Sequence, residues 1–173
     1  MKHFFIVPAR KNSKGLKNKN RLLIDKTVDF INSIKWNKET ILTTDDDYFK
    51  NICKNNNFIF YKRSSKISND DSSIKEVYLD LYKNFFQSRR ESDVYLWLIY
   101  IPIIGRQITD FNKAYNHVKR SSPNIKSLCS FFPNIDHPFN SWKYIKNKKT
   151  MVKYINNDFY RRQDLPASYI HHH

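Results

Sequence analysis

The sequence predicts an α/β fold built on a mainly parallel sheet, and three observations predict it. Short apolar runs suited to buried strands recur at His3 to Val7, Thr40 to Thr44, Phe58 to Tyr61, Val94 to Ile99 and Ile125 to Phe131. Helical patterns lie between these runs, and strands that alternate with helices form a parallel sheet whose ligands sit outside the carboxyl ends of the strands. The chain has 173 residues, 40% of them apolar, enough for one substantial core but hardly for two.

The first strand ends at Pro8, which has no N–H to give to a ladder. After the second strand comes Asp45-Asp46-Asp47, read as the start of a helix, where carboxylates favour the dipole, rather than as a metal cluster. Asn55 to Asn57 marks a turn before the third strand. The clearest helix carries Ile74, Val77, Tyr78, Leu81 and Phe85 as one apolar stripe, introduced by Ser73 and Glu76 as a capping box. A second stripe runs through Ile108, Phe111, Tyr115 and Val118 beyond the fourth strand. Trp142 to Ile145 and Met151 to Ile155, parted by Asn147 to Thr150, predict a late hairpin.

Chemistry concentrates after the first strand. The segment from Phe5 to Asn20 opens into a loop with Arg10, Lys11, Lys14, Lys17 and Lys19 and no acidic residue, a composition suited to an anion. Gly15, one of only two glycines in the chain, stands inside it, where a close backbone approach or a positive φ would require it. Ser13 offers a hydroxyl and an N–H to phosphate oxygens. A solvated lysine-rich turn is the alternative on charge alone.

The wording of that loop, PARxxSKGxxxKN from Pro8 to Asn20, resembles the nucleotide-binding signature of the acylneuraminate cytidylyltransferases, which make CMP-sialic acid and related CMP-sugars. Further segments in the same order resemble the family. LTTDDD at Leu42 to Asp47 looks like its STD segment, and YKRSSKISNDDSS at Tyr61 to Ser73 looks like its arginine-led loop. Asp136-His137-Pro138 is similar to its HP turn, with His137 structural, and Arg161 to Pro166 is similar to its RRQ/RQxLP element.

The resemblance implies a Rossmann-like three-layer nucleotidyltransferase fold, covering residues 1–170 as a single cytidylyltransferase-like domain. It implies attack by the anomeric hydroxyl of an acidic, sialic-acid-like nonulosonic sugar on the α-phosphate of CTP. Such a transfer needs positioning and charge compensation more than covalent help. On the motif positions, Arg10 and Lys14 compensate charge at the triphosphate, and Ser13, Gly15, Lys19, Asn20 and Arg63 bind nucleotide, Asn20 near the cytosine or ribose. Arg106, Arg162 and Gln163 fall to the acceptor, Arg162 meeting its carboxylate. Lys11 and Lys17 hold variable positions and are read as solvated. A homodimer is also implied.

Two departures stand against the pattern. Where the family carries QPTSPLR after its fourth strand, this chain reads Tyr100-Ile101-Pro102-Ile103-Ile104-Gly105-Arg106, an apolar stretch that points to a different acceptor, to a less polar one or to lost activity. The chain also stops shortly after RRQDLP, before the family's NGAIY strand and the late aspartates that hold magnesium. Mg²⁺ is implied, therefore, with its protein ligands unknown in this chain. His171 to His173 read either as the start of a tag or as native residues.

Composition excludes some classes and leaves others open. No apolar run approaches the length of a membrane span, and Phe4 to Val7 is too short for a signal peptide, so a soluble cytoplasmic protein without membrane contact is expected. Cys53 and Cys129 lack CxxC spacing and read as two buried thiols. The net charge of +15 suits any anionic partner, nucleic acid included. Basic and aromatic residues are nevertheless scattered, without an RRM, KH or zinc-finger signature, which disfavours a small nucleic-acid-binding protein. A family member that binds nucleotide without turnover is the other alternative.

Overall fold

The structure, a computed structural model, describes residues 1–11, 16–69, 72–91, 93–122, 124–159 and 161–171, the Arg162 side chain apart. It divides into two compact units, Met1–Lys113 and Ala114–His173.

In the first unit, β1 (Lys2–Pro8), β2 (Glu39–Thr44), β3 (Ile59–Lys62) and β4 (Val94–Leu98) form one sheet in the order β3-β2-β1-β4, every pair parallel. The helices are α1 (Lys19–Ser33), α2 (Phe49–Asn55), α3 (Ile74–Leu81), which continues as a π-helical turn over Tyr82–Phe86, and α4 (Ile108–Ser121), which crosses the boundary between the units.

The apolar run in β1 is explained by burial on both faces of the sheet. Phe5, Val7 and Ala9 pack with Ile24, Val28 and Ile31 of α1 and Phe49 and Cys53 of α2, and Trp36, Trp97 and Phe111 close that cluster. Phe4 and Ile6 point the other way, onto Val77 and Leu81 of α3 and onto Phe85 and Phe86. Successive residues thus serve opposite layers, as the two-residue strand period requires.

Helix α3 begins as the sequence predicts. The Ser73 hydroxyl accepts the Glu76 N–H at 3.2 Å, while the Glu76 carboxylate accepts the Ser73 N–H at 2.6 Å. Ser73→Ala should therefore cost about 1 kcal/mol. A fall of that size in unfolding free energy, measured by urea titration, is the expected outcome; no change would mean that water replaces the cap. At Asn57 the predicted turn takes a φ of 56°, a left-handed conformation that asparagine tolerates.

The second unit holds two small antiparallel pairs. β6 (Trp142–Ile145) and β7 (Thr150–Lys153) form the expected hairpin, turning through Lys149 at a φ of 48°. β5 (Phe131–Pro133) pairs with β8 (Tyr169–His171). Two expectations are corrected here. The run from Ile125 to Phe131 is not a buried parallel strand: its first six residues lie outside any strand, and Leu128, Phe131 and Phe132 are exposed. An apolar run becomes a buried strand only with sheet neighbours, and this one has none in the four-stranded sheet. Cys129 is also exposed, although Cys53 is buried with its thiol pushed up to about 11 by desolvation.

His137 has the structural role expected of it. Its Nδ1 accepts the Phe139 N–H at 3.2 Å, which leaves Nε2 to donate to the Pro166 carbonyl at 2.9 Å. The HP turn is thereby tied to the segment that follows Arg161 to Asp164.

Candidate functional site

The strand order reverses between β1 and β4, since the connection after β1 leads to β2 on one side while β4 lies on the other. At such a switch point the loops leaving the carboxyl ends of the two strands part and leave a crevice. The cationic loop leaves β1 here, with Arg10 half-buried, and the segment carrying Arg106 leaves β4. Asn12 to Gly15 lie outside the described residues, and with them Ser13, Lys14 and Gly15. Lys11 and Lys17 are exposed, and Lys19, the first residue of α1, is half-buried.

Arg63, just beyond β3, is the most unusual group on this edge. It is 6% exposed, and its Nε and Nη2 have no hydrogen-bond partner among the described residues. Burial lowers its pKa, with Asp45 opposing that effect and Arg10 adding to it. Two guanidiniums thus act on one another with Asp45 as a nearby countercharge, and a buried cation with idle donors is costly unless an anion meets it.

The backbone at the root of the cationic loop is held at three successive residues. Thr44 at the end of β2 donates its hydroxyl to the Ala9 carbonyl. Asn20 in the first turn of α1, buried, donates its amide to the Arg10 carbonyl at 3.0 Å. Asp45 accepts the Lys11 N–H at 2.7 Å. Sequence reasoning gave Asn20 to the base or ribose; one of its amide N–H groups also holds the loop itself. Thr44 and Asp45 were not singled out as site residues, although both lie in the LTTDDD segment that resembles the family's STD segment.

Asp46 is held beside them. Arg21 of α1 donates Nε and Nη2 to its two carboxylate oxygens, both at 2.8 Å, and this fork holds the carboxyl below its usual range. Asp46 also accepts the Tyr48 N–H at 3.2 Å, but the aspartate run lies in the turn ahead of α2, which starts at Phe49 with no acidic residue in its first turn, so the expectation that these residues begin the helix is corrected. Helix α1 itself starts from Asn18 in a left-handed conformation, with no side-chain cap and no acidic residue in its first turn. Its amino-terminal dipole faces the cationic loop without a neighbouring carboxylate from that turn.

Arg106 lies over the Phe30 ring at 5.3 Å and donates to the Tyr100 carbonyl, and burial pushes its pKa down to about 10. The apolar stretch before it splits in two. Ile101 is buried in the core with Ile99, whereas Ile104 is 64% exposed. Ile101 therefore cannot stand in for a hydroxyl that faces an acceptor. Gln163 is exposed in the second unit, in a short 3₁₀ turn, and the adjacent Arg161 is paired with Asp164 at 2.9 and 3.1 Å. The Arg162 side chain lies outside the described set.

The residues described do not fit a magnesium centre at the aspartate run. Asp45 holds the Lys11 N–H, Asp46 holds Arg21, and Asp47 is paired with Lys62 at 2.7 Å and Lys50 at 3.2 Å. Among the described residues no group of three or more His, Cys, Asp or Glu side chains gathers as a ligand set. None of the helices described is long and apolar enough to cross a membrane.

Comparison with known proteins bears on what this edge does. A family model described as cytidylyltransferase matches residues 4–171. N-acylneuraminate cytidylyltransferases of Streptococcus agalactiae serotypes III and Ia are each 27% identical over 183 residues, covering 98% of this chain and 41% of theirs. The chain thus spans about two fifths of the length of these curated relatives. A solved structure of CMP:2-keto-3-deoxy-manno-octonic acid synthetase complexed with CTP superposes with a TM-score of 0.67, at 14% identity, covering 99% of this chain and 71% of that one. The likeness establishes a shared nucleotidyltransferase fold.

Proposed function

Because the chain belongs to the cytidylyltransferase family, whose model it matches over residues 4–171, we propose that it transfers CMP from CTP to an acidic, sialic-acid-like sugar. The observation that carries this reading is Arg63, a buried guanidinium with idle donors that interacts with Arg10 at the carboxyl ends of the parallel strands. A nucleoside triphosphate supplies an anion for the idle donors of Arg63. The names of the relatives and of the structural neighbour support CTP as that triphosphate and a nonulosonic acid as acceptor.

In the proposed reaction the anomeric oxygen of the sugar forms a bond to the α-phosphorus and gives its proton to solvent. The bridging bond to the β-phosphate breaks, and pyrophosphate leaves with the electron pair. Arg10, Lys14 and Arg63 compensate phosphate charge, with Ser13, Gly15 and Lys19 completing the nucleotide loop and the α1 amino terminus adding its dipole. Arg106, Arg162 and Gln163 remain the proposed acceptor residues. Mg²⁺ belongs to the reading as the partner of the triphosphate, but no step here runs through it, since the residues described offer it no fitting carboxylate set. A cytoplasmic homodimer is also part of the reading; the exposed Trp142, Tyr144 and Met151 of the hairpin offer apolar surface for it.

Calorimetry is expected to show CTP bound in preference to ATP and GTP. Equal binding of all three, collapsing in moderate salt, would instead reveal a general polyanion surface. One second reading has a specific support. The aspartates after β2 are all engaged with protein groups, which favours a member that binds nucleotide without turnover. Pyrophosphate release across a panel of nonulosonic acids separates the two.

A further inference from the structure

We propose that Asp45 is a positioning residue that sets the cationic loop through the Lys11 backbone, not a metal ligand and not merely a countercharge. The inference rests on the reading of that loop as the nucleotide site. It starts from a difference among three consecutive carboxylates. Asp46 and Asp47 meet side-chain cations, Arg21 for the first and Lys50 and Lys62 for the second. Asp45 alone reaches back across the sheet edge to a backbone N–H, that of Lys11, at 2.7 Å.

That bond completes a set. The Ala9 carbonyl is held by Thr44, the Arg10 carbonyl by Asn20 and the Lys11 N–H by Asp45, so both peptide groups flanking Arg10 are fixed from two different elements. A loop residue gains precision when its backbone cannot rotate, because the ordering entropy is then met on folding and not on ligand binding. Asp45 is itself well placed to be rigid. It sits between Thr44, whose carbonyl accepts the Arg63 N–H at 2.8 Å, and Asp46, whose N–H is held by the Thr44 hydroxyl at 3.0 Å. One short segment after β2 therefore fixes the backbone of Arg63 and the backbone around Arg10 together. The two guanidiniums are registered against each other before any anion arrives.

The test compares Asp45→Asn, Asp45→Ala and Asp47→Ala in the full chain. Asparagine keeps a carbonyl oxygen for the Lys11 N–H and removes the charge, whereas alanine removes both. Amide exchange at Lys11, read by NMR against the β1 amides of Phe5 and Ile6, should quicken about tenfold or more in Asp45→Ala, the scale of one hydrogen bond to a charged group. Asp45→Asn should stay close to wild type, and Asp47→Ala should not differ from it. CTP affinity by calorimetry should fall in Asp45→Ala and hold or rise in Asp45→Asn, where a negative charge near Arg63 has gone. If Asn and Ala behave alike in both measurements, Asp45 acts through its charge and the proposal fails. Unchanged Lys11 exchange in Asp45→Ala also overturns it. Wild-type protein that does not bind CTP would overturn the nucleotide reading alone, since the exchange arm needs no ligand.

Discussion

Replacing Arg63 with methionine is expected to stabilise the unliganded protein and to remove most of its CTP binding. The guanidinium is 6% exposed, and neither Nε nor Nη2 has a partner among the described residues. A charge taken from water and left without full compensation costs several kcal/mol, and an apolar side chain of similar volume often gains about 1 to 4 kcal/mol in such a place. The backbone bond from the Arg63 N–H to the Thr44 carbonyl survives the change, so β3 keeps its anchor. Binding should move in the opposite direction. Loss of a desolvated contact to phosphate costs about 2 to 4 kcal/mol, a fall in affinity of about thirtyfold or more. Thermal unfolding and calorimetry on one pair of samples read both effects. A methionine variant that is less stable, or that binds CTP normally, would show that the guanidinium serves the fold.

The second large effect is expected at Lys14, where the loop signature assigns a charge-assisted contact to the triphosphate. Lys14→Ala should cost about 2 to 4 kcal/mol of transition-state stabilisation, the scale of one preorganised donor. Lys17→Ala should leave kcat/KM for pyrophosphate release nearly unchanged, because Lys17 is exposed and holds a variable position of the signature. The pair is informative since each variant removes the same unit of charge from the same loop. Equal losses would mean that the loop acts as a diffuse cationic surface, with no division of roles among its lysines.

Much of the fold was legible before the structure. Four of the five expected strands fall within a residue or so of β1 to β4, because each is a short β-rich run bounded by turn residues. The capping box of α3 is formed by the two residues that the spacing named. The fifth run failed for a physical reason. Ile125 to Phe131 has strand-like composition, yet only a place beside another strand would have buried it, and composition does not record such a place.

The candidate site was legible in part. A cation-rich loop after a buried strand can be read locally, and so can the likeness of its wording to a known signature. Asn20 was named for the nucleotide from its motif position, and nothing local signalled that its amide also holds the Arg10 carbonyl. Asp46 and Arg21 gave no sign of pairing, being far apart in sequence.

By itself, then, the sequence determined where β1 to β4 run, where α3 is capped and where cationic chemistry gathers, since propensity, period and capping act among residues a few positions apart. Tertiary structure alone decided that β4 lies beside β1, so that the strand order reverses where the cationic loop leaves the sheet. It alone decided that Arg63 is buried with idle donors and that Thr44 and Asp45 grip the root of that loop. Burial, desolvation and hydrogen bonding across a sheet edge depend on the register of strands distant in the chain. No local pattern of residues encodes that register.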